Sequence, residues 1–111
     1  MESERESLDA HAAIASAAQR LLTGELGVID AARKISQHRH TVDPDMEDGE
    51  LLGFLAIDSQ SDHLAVGPVL DEWHPSLRDA KRKEVADFED FYREGALRDA
   101  AILFERYSRR T

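Results

Sequence analysis

The 111-residue chain has no cysteine. That excludes disulfides, zinc ribbons, iron–sulfur clusters and cysteine nucleophiles. With three prolines and six glycines it has no low-complexity tract, and only 6% of its residues are aromatic. No apolar run approaches the roughly 20 residues needed to cross a bilayer. The start, Met1-Glu2-Ser3-Glu4-Arg5-Glu6-Ser7, lacks the basic and then apolar pattern of a secretory signal. These absences lead us to expect a cytoplasmic protein with no membrane contact. Glycine-rich phosphate loops, a Gly-x-Ser-x-Gly elbow and a His-Glu-x-x-His pair are also missing. No motif calls for a cofactor, and none assigns a catalytic residue.

Positive charge is missing from one long stretch. Residues 41–75 hold nine Asp and Glu and no Lys or Arg. Residues 1–40 hold six acids and five Lys/Arg, and residues 76–111 hold eight acids and nine Lys/Arg. The net charge of −9 therefore falls in the middle third of the chain. Such a charge speaks against nucleic acid, whose phosphates demand Lys and Arg, and against an anionic membrane surface. It favours a basic protein partner or a divalent cation.

A hydrophobic content of 41% over this length fits one compact domain, residues 1–111. Helical spacing of Leu8, Ala12, Ala15 and Leu22 predicts a first helix over 7–23, with Ser3 or Ser7 as its cap and Gly24 as its stop. A second helix follows over 25–37. The run Glu50-Leu51-Leu52-Gly53-Phe54-Leu55-Ala56-Ile57 is a short buried helix or a buried strand, and its Leu and Ala content favours helix. Residues 58–68 read as a loop, with a short extended piece at 64–66, and 69–73 as one helical turn. From Pro75 to about Ser108 the pattern predicts one long helix, with Gly95 as a point for a kink. Its aromatic stripe, Phe88, Phe91, Tyr92, Phe104 and Tyr107, reads as core, whereas His11 on the first helix reads as exposed. The expected fold is an all-α bundle of three to four helices, with a long C-terminal helix and an acidic insert over 41–75.

Two constellations in the insert carry chemistry. The first is its acidic surface: Asp43, Asp45, Glu47, Asp48, Asp58, Asp62, Asp71 and Glu72. The order around Asp43 fails as a calcium loop, since position six is Asp48 and position twelve is Phe54. Trp73, the only tryptophan, either pins the segment to the bundle or anchors a partner. The second is a metal set of His63, Asp71 and His74, because imidazole and carboxylate together suit transition metals. In the alternative, His74 caps the long helix. The Asp58-Ser59-Gln60-Ser61-Asp62-His63 stretch holds the residue types of a hydrolytic triad, but Asp and Ser at this spacing also serve simply as turn caps.

The run Leu21-Leu22-Thr23-Gly24-Glu25-Leu26-Gly27-Val28-Ile29-Asp30-Ala31-Ala32-Arg33, followed by Ile57-Asp58-Ser59-Gln60-Ser61-Asp62-His63-Leu64-Ala65-Val66-Gly67, resembles a group of small uncharacterised bacterial proteins. The resemblance implies a bacterial cytoplasmic protein, and it brings no activity, cofactor or catalytic residue. The expected function is a non-enzymatic binding module that offers its acidic surface to a basic protein, as immunity or antitoxin proteins of similar size and charge do. The alternative is a metal-binding protein or metal-dependent enzyme. A homo-oligomer paired through the long helix is a third expectation.

Overall fold

The computed structural model describes residues 2–64 and 74–109. Five helices occupy them: α1 (Glu2–Leu22), α2 (Val28–Gln37), α3 (Arg39–Val42), α4 (Gly49–Ser61) and α5 (Pro75–Ser108). No strand occurs among the described residues. The expected readings of 65–73, including the turn at 69–73, lie outside them.

Four of the helices form a ring in which α1 packs on α2, α2 on α4, α4 on α5 and α5 on α1. Neighbouring helices run antiparallel. The His11 ring meets Tyr107, while Leu21 and Leu22 share a groove with Arg93 and Leu97. Asp48 meets Tyr107 at one end of α4, and Gln60 meets Tyr92 at the other. The result is an up-down-up-down four-helix bundle, with the single turn of α3 laid against α1 and α2.

The core forms where the apolar faces converge. Ile14, Ala18, Ile35, Leu51, Phe54, Ala100 and Leu103 are almost fully buried. The alanines of α1 remove side-chain bulk and bring its neighbours close. Ile29, Leu64 and Val85 close one end of the bundle, with Phe88 packed on them. At 1.5 Å per residue the 34 residues of α5 extend about 51 Å, which matches the 51 Å long axis of the molecule. The helix runs through Gly95 without a break, but no residue before Val85 in it is buried.

Several boundaries differ from the sequence reading, each for a physical reason. α1 begins at Glu2, so Ser7 is no cap; its carbonyl instead accepts a hydrogen bond from His11 Nδ1. His11, expected at the surface, is 6% exposed because Tyr107 packs against it. α2 begins at Val28, since residues 23–26 are taken up by a turn in which Gly24 has φ +84° and Leu26 N–H donates to Arg20. Residues 58–61, expected as loop, continue α4. The Arg33 guanidinium lies 3.9 Å from Asp58 and donates to the carbonyls of Ser61 and Leu64, so α2 holds the last turn of α4 in place. Phe91 is 80% exposed, not part of the core.

The N-terminus of α2 has no cap of its own. Its capping position is Gly27, and the first-turn Ile29 N–H is met by Glu89 Oε2 from α5 at 3.0 Å. A Cβ on Gly27 would come within 2.6 Å of that oxygen, so glycine is what lets the carboxylate in. Gly27→Ala should displace Glu89 and destabilise the bundle by about 1 kcal/mol, the usual value of a helix cap. Glu89→Ala should have a similar effect. Because both changes remove the same contact, urea unfolding of the double variant should show little more loss than either single one.

Candidate functional site

The acidic insert begins with a turn built on one carboxylate. Asp43 ends α3, and its two oxygens accept the N–H groups of Glu47 at 3.0 Å and Asp48 at 2.9 Å. Met46 N–H donates to the Asp43 carbonyl, which closes the chain into a tight loop. Within it Met46 has φ +58°, a left-handed conformation that side chains bearing a Cβ adopt rarely. Its side chain is 47% exposed and stands between two exposed acids, Asp45 and Glu47.

The loop is fastened to the bundle by Asp48. Oδ1 accepts from Glu50 N and Leu51 N and so caps α4. Oδ2 receives Tyr107 Oη at 2.7 Å and Arg106 Nη1 at 2.7 Å, both from the last turns of α5. Arg106 also reaches Glu50 at 3.2 Å. The Asp48 side chain is only 9% exposed. Burial alone would raise its pKa, but the hydrogen bonds from Arg106, Tyr107 and Leu51 outweigh it and hold the carboxyl below the usual aspartate range. The Tyr107 phenol moves upward, first through burial and then because it donates to an anion. Arg106 is held more firmly protonated, chiefly by the Asp48 bond.

Asp99 sits on the same side of α5, against Gly53 of α4. Burial is the main cause that raises its pKa; Arg98 works against the shift, and Glu50 and Asp48 add to it. Two nearby carboxyls are thus pushed in opposite directions by their surroundings.

The predicted acidic surface divides accordingly. Asp45, Glu47 and Asp62 face solvent, Asp58 is half-buried beside Arg33, and the carboxylates of Asp43 and Asp48 are turned inward to the fold. Asp71, Glu72 and Trp73 lie outside the described residues. Of the metal set, His63 Nε2 faces Glu84 at 3.8 Å, and His74 caps α5 by accepting from Ser76 N–H. Asp71 again falls outside the described residues. Among these residues no three His, Asp or Glu side chains are grouped as a metal site. In the Ser-Asp-His stretch, the buried Ser61 hydroxyl donates to the Asp58 carbonyl within its own helix. No described helix is long and apolar enough to cross a membrane.

Compared with models of protein families, with curated proteins and with solved structures, the chain matches none. The site therefore rests on its own geometry. Sequence reading missed Arg106, Tyr107 and Arg33, whose partners are 25 or more residues away in the chain. Asp48 did carry a local signal: an Asp just before an apolar helical run is an N-cap candidate.

The two shifted carboxyls give opposite pH behaviour. Asp48, depressed in the folded state, contributes stability that is full above the ordinary aspartate pKa of about 3.9 and is lost as pH falls through its lower folded value. Asp48→Asn keeps the cap and should cost about 1 kcal/mol at pH 7, a figure reduced for the partly exposed Arg106. The deficit should shrink in acid. Asp99, raised in the folded state, opposes folding while ionised, and the opposition fades as pH falls. Asp99→Asn should raise the thermal midpoint at pH 7, with the gain vanishing towards pH 4. Thermal melts from pH 3 to 8 read both.

Proposed function

We propose that the protein is a non-enzymatic binding module whose 43–48 loop meets a basic partner protein. The observation that carries this reading is Met46: an exposed apolar side chain in a left-handed conformation, flanked by Asp45 and Glu47. Backbone strain concentrates at functional positions when the surrounding structure holds it in place. Here Asp43 and Asp48 hold it from either side. A preformed loop loses less freedom on binding, and its acidic rim steers a basic surface towards it. Methionine suits such a contact because its thioether adapts to irregular apolar pockets.

The reading is supported by analogy with small acidic binders of immunity or antitoxin type, which the chain resembles in size and charge, and we propose the same bacterial cytoplasmic setting. The metal alternative gains no support from His63 and His74, each of which already faces another partner. Pairing of two copies through α5 finds no continuous apolar stripe. Leu77, Phe91 and Ile102 are its exposed large hydrophobics and are spread along the helix among charged residues.

The test is quantitative capture from the native cell extract, with the wild-type protein against an Asp45→Asn, Met46→Ser, Glu47→Gln variant. These side chains are exposed, so the variant should melt within a few degrees of wild type. A basic protein held by the wild type, released by about 0.3 M salt and lost by the variant is the expected result. Identical capture profiles for the two proteins would refute the reading.

A further inference from the structure

The acidic insert has a counterpart of opposite sign. Between Asp30 and Asp43 the chain has no acid, yet it carries Arg33, Lys34, His38, Arg39 and His40. The fold separates these five. Arg33 turns to Asp58 and the end of α4. Arg39 is buried, 7% exposed, with its Nε and Nη1 unmet and Nη2 against the His40 ring. Lys34 and His38 line a groove of about 240 Å3 between α1 and α2.

Across that groove stands Arg20 of α1, and the neutral donors Ser16 and Gln37 complete its polar lining. No carboxylate lines it, although the chain carries 23 acids against 14 Lys and Arg. Other basic side chains of the bundle are matched to acids: Lys81 to Glu84, Lys83 to Asp87, Arg106 to Asp48 and Arg109 to Glu105. Neither the Lys34 ammonium nor the His38 ring has a hydrogen-bond or ion-pair partner among the described residues. Arg20 gives its Nε to Glu25 at 3.1 Å, outside the lining, and retains four further N–H donors. The position of Lys34 near the C-terminus of α2 complements that helix dipole, but the dipole of α2 does not account for Arg20 on the facing helix.

We propose that this groove binds a small soluble phosphate ester. A guanidinium offers a planar fork to phosphate oxygens, an ammonium adds a point charge, and the hydroxyl and amide serve the remaining acceptors. Small side chains of α1, Ala13 and Ala17, leave room on the floor of the groove for the organic part. The site is separate from the 43–48 loop, so either reading stands or falls alone.

Inorganic phosphate and glycerol 3-phosphate would be titrated into the folded protein, with sodium chloride at matched ionic strength as control. Amide NMR spectra report the site. Saturable shifts confined to Ser16, Arg20 and the 34–38 segment are expected, with the ester binding more tightly than the free ion. Arg20→Gln and Lys34→Gln should each weaken binding about tenfold, whereas Glu25→Gln should strengthen it by releasing Arg20. Shifts that chloride reproduces, or that persist in the Arg20→Gln, Lys34→Gln double variant, would overturn the site. Equal or weaker binding of the ester would overturn the assignment to an organic phosphate.

Discussion

The Asp48 carboxylate joins the start of α4 to the end of α5. One oxygen starts α4, and the other holds the end of α5 through Arg106 and Tyr107. A buried anion is stable only when its lone pairs are met, and here four donors meet them. Those donors fix where the 43–48 loop joins the bundle. The carboxylate also fixes the ring of Tyr107, against which His11 packs from α1. One acid thus sets the relative position of three helices.

The same logic recurs at α2, the shortest helix of the ring. Isolated helices of about ten residues are marginal in water. This one is held from outside itself: Glu89 of α5 meets its first turn, and its own Arg33 reaches across to close α4. Polar side chains bridge the helix ends while the apolar faces fill the middle. α4 and α5 carry local caps in Asp48 and His74, whereas α2 is capped from another helix, through the space that Gly27 leaves.

What could be read from the sequence followed the range of the forces involved. The long helix is written locally, in His74 and Pro75 at its start and in a helical period that persists to Ser108, and the structure has both. Gly24 marks the first turn for an equally local reason, its positive φ. The apolar run at 50–57 forms a helix, as its Leu and Ala content suggested. The end of α4, the start of α2 and the burial of His11 depend on residues 28 to 96 positions away, and no local pattern encodes them. Phe91 misleads because an aromatic at helical spacing from Phe88 seems to share its face, yet α5 meets the bundle on one side only. In the acidic insert the sequence showed the sign of the charge. Asp43 turns inward to backbone N–H groups of its own loop, whereas Asp48 and Asp58 are turned by Arg106, Tyr107 and Arg33, all of them outside the insert.

The length of α5 has a consequence of its own. From Val85 onward the helix is clamped by the core, but the ten residues from Pro75 to Glu84 bury no apolar side chain. Backbone amides in the two stretches should therefore open as different cooperative units. Opening the first turns exposes almost no apolar surface, whereas opening the last turns requires the whole bundle to come apart. A single continuous helix therefore carries a gradient of local stability. Proteases and solvent hydrogen would read that gradient from its N-terminal end inward, and the first strong protection would mark where the core takes hold.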